Sequence, residues 1–247
     1  MIDLKHSKAG TAILAAAAVA VSLSLVGCSE DSKSASSSST SSSAAATTAE
    51  SSAKTTEKKS KLTPRTSEAP GSGANKTIAD YIVDNDITET VVHSGDAGSP
   101  TVGLPIPDGW EDANDKAPDV AYGAILYSGP EAGEYPVTVI AIMSKLDGNV
   151  DPDELLSFAR GELQNLPGFE PLAEGTKTTF NDFPAFEYGG TYKGDNGETL
   201  ISAQKTVVVE GSDGTYVMQF NVDGAEAQID VIKDVTTFID ENVTITP

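Results

Sequence analysis

A polar tract with almost no large apolar side chains decides which part of this chain can fold. Residues 29–74 are rich in Ser, Thr and Ala with scattered lysines, and such a segment cannot bury enough apolar surface to offset the conformational entropy lost on folding. We therefore interpret residues 28–75 as a polar tether of the flexible-linker type. From residue 76 to Pro247, aromatic residues, Val and Ile runs and Gly-containing turns appear, and this length suits one ordinary domain.

The segment before the tether has the pattern of a bacterial lipoprotein signal. A basic start is followed by an apolar run over residues 12–26, which is too short and too rich in Ala and Ser for a transmembrane helix. The run ends in a lipobox formed by Leu25, Val26, Gly27 and Cys28. Since Cys28 is the single cysteine of the chain, we favour this interpretation over an ordinary signal peptide with an incidental cysteine. We predict a signal peptide over residues 1–27 and an acylated Cys28 that anchors the protein to the outer face of the cytoplasmic membrane.

Charge and cysteine content exclude several partners and one means of stabilisation. Residues 76–247 contain 8 Lys and Arg against 31 Asp and Glu. A domain this acidic is repelled by nucleic acid and by anionic lipid surfaces, so we expect no nucleic-acid partner and a membrane attachment that depends on the acyl chains. Because acylation uses the thiol of Cys28, a disulfide is excluded and stability must come from a hydrophobic core.

Hydrophobic periodicity within residues 76–247 predicts three helices and seven strands. The helices cover residues 77–85, 151–166 and 225–241. Asp151 is the expected N-cap of the second helix, with Pro152 in its first turn and Glu154 closing a capping box. The strands cover residues 101–107, 122–127, 137–144, 170–179, 183–193, 199–210 and 214–222. Asn196 and Gly197 predict a type I′ hairpin, and strands in succession with interposed helices indicate an α+β fold with an antiparallel sheet.

This part of the sequence contains no recognisable catalytic or metal-binding motif. His93 and Asp96 could assist a serine, but no Gly-x-Ser-x-Gly elbow presents one, so we interpret His93 as a solvated loop residue. Four carboxylates invite a calcium interpretation: Asp147, Asp151, Asp153 and Glu154. Their spacing and the missing glycine do not fit an EF-hand, which favours helix capping. We predict no metal, no cofactor and no enzymatic activity, and a hydrolase with paired carboxylates is the last alternative.

Two aromatic residues beside predicted turns are candidates for the lining of a ligand pocket. Trp110 follows the turn at residues 107–109, and Phe169 follows Pro167 and Gly168. Core packing is the ordinary role of every large aromatic residue in the domain, because cores and pockets are lined by the same residue types. We single out Trp110 and Phe169 as the ligand-binding candidates.

Six segments in the right order resemble the LpqN/LpqT-type lipoproteins of mycobacteria and related actinobacteria. They are residues 77–82 (Thr-Ile-Ala-Asp-Tyr-Ile), 104–110 (Leu-Pro-Ile-Pro-Asp-Gly-Trp), 141–146 (Ala-Ile-Met-Ser-Lys-Leu), 166–169 (Leu-Pro-Gly-Phe), 203–207 (Ala-Gln-Lys-Thr-Val) and 244–247 (Thr-Ile-Thr-Pro). The resemblance covers essentially all of residues 76–247, and the lipobox and tether are also expected in that family.

The resemblance implies an α/β/α sandwich of the PsbP/Mog1-like kind, an antiparallel sheet with helices on both faces. It also implies a non-enzymatic cell-envelope protein that binds or helps to traffic envelope glycolipids such as trehalose esters. The alternative is a protein-interaction scaffold for envelope export or assembly machinery. The family offers no catalytic motif to carry over, so this inference depends on analogy and not on a site.

Overall fold

Four long strands form the centre of a nine-stranded antiparallel sheet. The computed structural model describes Gly71 and residues 73–133 and 135–247, so the predicted signal peptide and Cys28 lie outside the described residues. The central strands, in their spatial order, are β5 (Thr138–Asp147), β10 (Gly214–Ala225), β9 (Thr199–Gly211) and β8 (Phe183–Lys193). Consecutive strands β8, β9 and β10 pair through short connections, as antiparallel neighbours do.

Short strands complete both sides of this centre. On the outer side of β5 lie β4 (Gly123–Tyr127), followed by β3 (Trp110–Asp112), and also β1 (Thr88–Val92). On the outer side of β8 lie β6 (Glu170–Pro171) and β7 (Thr176–Phe180). A separate two-stranded sheet joins β2 (Thr101–Gly103) to β11 (Thr244–Thr246).

Helices cover both faces of the sheet. On one face lies α4 (Ile229–Asn242), which buries Ile232, Val235 and Ile239 against the first core cluster. On the other face lie α1 (Ile78–Asp84), α2 (Pro152–Phe158) and α3 (Gly161–Gln164). They bury Tyr81 and Leu155, among others, in a second cluster. The α+β architecture with helices on both faces is therefore confirmed.

Two predicted elements are broken where the chain changes direction. The helix predicted over residues 151–166 is two helices, α2 and α3, separated at Ala159 and Arg160 just before Gly161. The strand predicted over residues 170–179 is β6 and β7, which pair with different parts of β8. Periodicity does not mark the break in the helix, because Leu155 of α2 and Leu163 of α3 are buried in the same cluster.

The type I′ turn of the sheet lies at a different hairpin from the predicted one. Asn181 (φ 50°) and Asp182 (φ 67°) both have positive φ between β7 and β8, as a type I′ turn requires. At the β8–β9 hairpin only Gly197 has positive φ (84°), so the turn type predicted there is wrong. The five-residue loop instead closes with a hydrogen bond from Gly197 N to Gly194 O.

Asn181 also holds the C-terminal strand, and we expect Asn181→Ala to lower the free energy of unfolding by about 2 kcal/mol. Its Nδ2 donates to the Val243 carbonyl at 3.0 Å, and its Oδ1 accepts from Ile245 N at 3.2 Å. Alanine loses both bonds and is strained at positive φ, whereas the control Asn181→Gly loses only the bonds. Urea unfolding should therefore rank glycine between alanine and the wild type. Equal stability of all three chains would contradict this role.

Candidate functional site

Six polar side chains lie side by side on the sheet face that α1, α2 and α3 cover. They come from β9 (Ser202, Gln204 and Thr206) and from β10 (Gln219, Asn221 and Asp223), and we call them the polar strip. The register places Gln204 opposite Asn221, with Thr206 opposite Gln219 and Ser202 opposite Asp223. Asp223 is half-buried and the other five are buried. Polar groups are uncommon in such a position, which makes the strip the candidate functional site.

Apolar and aromatic side chains border the polar strip. On the β5 side, Ile142 is opposite Gln219 and Ile140 is opposite Asn221. On the β8 side, the aromatic residues Phe186 and Tyr188 lie beside Thr206 and Gln204. The sheet face thus changes across the strands from aliphatic to polar to aromatic.

Glu162 of α3 brings a buried carboxylate to this strip. The residue is 8% exposed, and its Oε2 accepts hydrogen bonds from Gln204 Nε2 at 2.9 Å and from Gln219 Nε2 at 3.2 Å. Gln204 Nε2 also donates to Asn221 Oδ1 at 2.9 Å. Bonds to a charged acceptor are stronger than neutral ones, and they lower the cost of burying the carboxylate. We call these four residues the Glu162 network.

Two hydroxyl groups of the strip have no hydrogen-bond partner among the described residues. Ser202 Oγ and Thr206 Oγ1 are buried, and both residues are 0% exposed. A buried polar group without a partner costs about 1–3 kcal/mol. Each hydroxyl can both donate and accept, so the strip offers unused hydrogen-bonding capacity beside the Glu162 network.

Phe169 lies at this site and Trp110 does not. The Phe169 ring is 5.5 Å from the Tyr188 ring, and it covers Gly190, where any Cβ would overlap it. Trp110 packs against Tyr127 with its ring centroid at 5.5 Å, beside the core cluster on the α4 face. The two aromatic candidates therefore belong to opposite faces of the sheet, and a ligand role for either stays a prediction.

The polar strip was not among the predicted site residues, although the sequence contains a signal for it. Ser202, Gln204 and Thr206 occupy every second position of β9, and Gln219 and Asn221 alternate with apolar residues along β10. Such alternation usually means that the polar face meets solvent. Only the central position of both strands shows that these side chains are buried.

The residues considered for catalysis or metal binding have structural roles. His93 has a 55% exposed side chain, and its Nε2 is 2.9 Å from the Asp119 carbonyl oxygen, so the loop interpretation is confirmed. Asp151 caps α2 by accepting from Glu154 N at 3.0 Å. The capping box is not closed, because Asp151 N donates to Tyr81 Oη instead.

Two of the remaining calcium candidates pair with lysines. Asp153 bonds Lys177 at 2.7 Å, and Asp147 lies 3.8 Å from Lys145. In the part of the chain that the structure describes, no three His, Cys, Asp or Glu side chains are placed to hold a metal ion.

A hydrogen-bonded cluster of polar and charged side chains also lies at the β9–β10 turn. Tyr216 Oη donates to Asp213 Oδ1 at 2.6 Å, and Lys145 Nζ donates to Asp213 Oδ2 at 2.9 Å. These two bonds, with the tyrosine bond first, hold the pKa of Asp213 below its usual value. Burial raises the pKa of Tyr216, and the bond to Asp213 adds to that effect. The arrangement ties the turn to β5.

Two adjoining grooves near the start of α2 do not resemble a lipid pocket. Their volumes are about 410 and about 500 Å³, and they share Asp153 and Pro184. Most of their lining residues are polar or charged, including Asp182 and Lys177. Pockets for apolar ligands are lined mainly by hydrophobic side chains, so these grooves are poor candidates for a lipid site.

Comparison with known proteins identifies the family. Residues 74–246 match a family model described as "Probable lipoprotein LpqN". The lipoprotein LpqN of Mycobacterium tuberculosis (strain ATCC 25618 / H37Rv) is 46% identical over 178 residues, which are 71% of this chain and 76% of that protein.

A solved structure agrees with this match. The crystal structure of M. tuberculosis LpqN, described as involved in cell envelope biogenesis, is 45% identical and has a TM-score of 0.66; the match covers 71% of this chain and all of that one. The Saccharomyces cerevisiae Ran-binding protein Mog1p is 14% identical with a TM-score of 0.37, over 60% of this chain and 84% of that one. Among the described residues, no helix has the length and apolar character needed to cross a membrane. This chain belongs to the LpqN family of lipoproteins.

Proposed function

We propose that this lipoprotein works in the cell envelope without catalysis, by binding an envelope glycolipid of the trehalose-ester type. The observation that carries the proposal is the Glu162 network, a buried carboxylate bonded to amide side chains between aliphatic and aromatic borders. A glycolipid also combines a polar part with apolar parts, namely a polyhydroxylated head and apolar chains. Since the polar strip is buried, a ligand would have to displace the helices that cover it. Sugar and alkyl chain would then each meet matching chemistry on one sheet face.

The polar strip fits the hydroxyl groups of a neutral sugar. Glu162 accepts hydrogen bonds, the amides of Gln204 and Asn221 both donate and accept, and the hydroxyls of Ser202 and Thr206 can do the same. The carboxylates of the site would repel a phosphate head group, because like charges interact strongly where water is excluded. The site chemistry therefore favours a sugar head over an anionic phospholipid.

The borders of the strip supply apolar surface for the rest of the ligand. Ile140 belongs to a small cluster with Ala113 and Ala124, and the partly buried Leu126 and Ile142 pack against it. On the opposite border, Phe169 and Tyr188 present aromatic rings, which can pack against the apolar face of a sugar ring or an alkyl chain.

Anchoring would give this domain access to membrane lipids. In our proposal, the acyl chains on Cys28 hold it at the outer face of the cytoplasmic membrane, and residues 28–75 form the tether. An anionic membrane surface repels an acidic domain. The tether would therefore hold the domain near the membrane without contact, and the domain could collect a glycolipid or pass it to export proteins. The involvement of M. tuberculosis LpqN in cell envelope biogenesis fits such a role.

Native mass spectrometry tests the proposal on a truncated chain that starts at residue 29. This chain lacks Cys28 and its acyl chains, so it needs no detergent. After incubation with lipid extract from its own membranes, we expect one glycolipid per chain. We expect Gln204→Leu to lower affinity at least about tenfold, since it breaks the Glu162 network and removes hydrogen bonds to the sugar. Gln228→Leu is a matched control, because Gln228 is also buried and bonded, to Ala225 N and the Glu131 carbonyl, at the start of α4.

Other outcomes would contradict glycolipid binding. Bare protein in the spectrum, together with a stable protein partner in a crosslinking pull-down, would favour the scaffold. Release of free fatty acid from a trehalose ester would instead identify a hydrolase. Equal lipid retention by Gln204→Leu and Gln228→Leu would remove the polar strip from the binding site.

A further inference from the structure

We infer that Asn165 is a positioning residue, which couples the start of the domain to the Glu162 network. Residues 73–77, which we call the junction, lie where the predicted tether meets the domain. They pack on α3, the helix that carries Glu162, so the affinity of the site depends on how the junction is seated. This inference rests on the proposed function for what the site binds, and on the structure for the coupling.

Hydrogen bonds between Asn75 and Asn165 join the junction to α3. Asn165 Oδ1 accepts from Asn75 N at 2.9 Å and from Asn75 Nδ2 at 3.1 Å. In return, Asn165 Nδ2 donates to the Asn75 carbonyl at 2.9 Å. Ninety residues of sequence separate the partners, so these bonds are tertiary contacts that only the folded chain can make.

The backbones of the junction and α3 are also in close contact. A Cβ at Gly161 would overlap the carbonyl oxygen of Lys76, and one at Gly73 would overlap the side chain of Asn165. Thr77, at the end of the junction, is 2% exposed. Glycines at both points permit this approach, since they have no Cβ.

The position of α3 depends on such contacts because the helix is short. It contains four residues, and a helix of one turn is not stable by its own hydrogen bonds. Asn165 follows Glu162 by three residues, so the bonds that fix Asn165 also fix the carboxylate within reach of Gln204 and Gln219. Loosening the junction would withdraw the acceptor that both amides share.

Hydrogen exchange tests the coupling on the acylated chain in phosphatidylcholine nanodiscs. Asn165→Ala removes all three bonds, and we expect amide exchange in residues 161–166 to rise at least about tenfold. The affinity for a synthetic trehalose 6,6′-diester should fall by a similar factor. Asn165→Asp keeps the acceptor for both Asn75 bonds and should restore part of each quantity. Asn75→Ala, a milder change, should show a smaller effect of the same kind.

The control and the two readouts separate the possible outcomes. Asn242→Ala removes a comparable bond, from Nδ2 to the Phe238 carbonyl at 2.9 Å on α4, and should change neither quantity. Unchanged α3 exchange in Asn165→Ala would overturn the coupling, as would an equal rise throughout β9 and β10. Exchange is measured without glycolipid. Faster α3 exchange in Asn165→Ala would therefore support the coupling even if the wild type bound no diester. That absence of binding would overturn the proposed function alone.

Discussion

Gly161→Ala is expected to lower the free energy of unfolding by about 2–3 kcal/mol, although glycine to alanine normally stabilises a helix. Gly161 is the first residue of α3, and its missing side chain lets the Lys76 carbonyl approach the helix. Because the atom in the way belongs to the backbone, a rotamer change cannot relieve the overlap. Urea unfolding of both chains measures the loss.

A second glycine distinguishes steric overlap from backbone strain. At Gly197 a Cβ would meet nothing within 4 Å, but φ is +84°. Gly197→Ala should therefore cost only the left-handed backbone penalty, about 1 kcal/mol. If Gly161→Ala were as stable as the wild type, the close contact between the junction and α3 would be wrong, and the coupling to Glu162 would lose its main steric support.

Cys28→Ser is expected to abolish acylation of the chain, the largest effect that we predict. Serine cannot carry the thioether-linked lipid, so the chain should leave the membrane fraction or accumulate as uncleaved precursor. Two acyl chains give durable attachment, since each buried methylene contributes about 0.8 kcal/mol. Membrane fractionation with intact-mass measurement distinguishes the acylated form, the precursor and the free chain.

The neighbouring position provides the control for the anchor. Ser29→Ala leaves the thiol in place, and this chain should stay acylated and bound to membranes. A Cys28→Ser chain that is cleaved normally and still sediments with membranes would defeat the lipobox interpretation. Attachment would then require some contact of the acidic domain itself.

Local rules predicted much of the scaffold correctly. The α1 helix was predicted over residues 77–85 because Ile78, Tyr81 and Ile82 share a helical face, and all three are buried. The β8 strand was predicted with its observed bounds. Both depend on interactions between residues close in sequence, namely side-chain periodicity and backbone pairing across a short turn.

Local sequence patterns did not predict the short strands β1 and β11, which pair along one side only. The strand β1 has the sequence Thr-Glu-Thr-Val-Val, and four of its five residues are exposed. It is a strand because its backbone pairs with the second half of β5. The strand β11 likewise exists through its pairing with β2. An edge strand needs only a partner for its backbone, so its side chains carry little signal.

The sequence by itself determined the class of the fold, the family and the predicted address at the membrane, because each depends on patterns over neighbouring residues. The tertiary structure alone decided the site. Glu162 meets Gln204 across 42 residues and Gln219 across 57, and Asn75 meets Asn165 across 90. Whether an alternating polar strand faces solvent or a buried carboxylate depends on what packs above it, and that is set by contacts between distant parts of the chain.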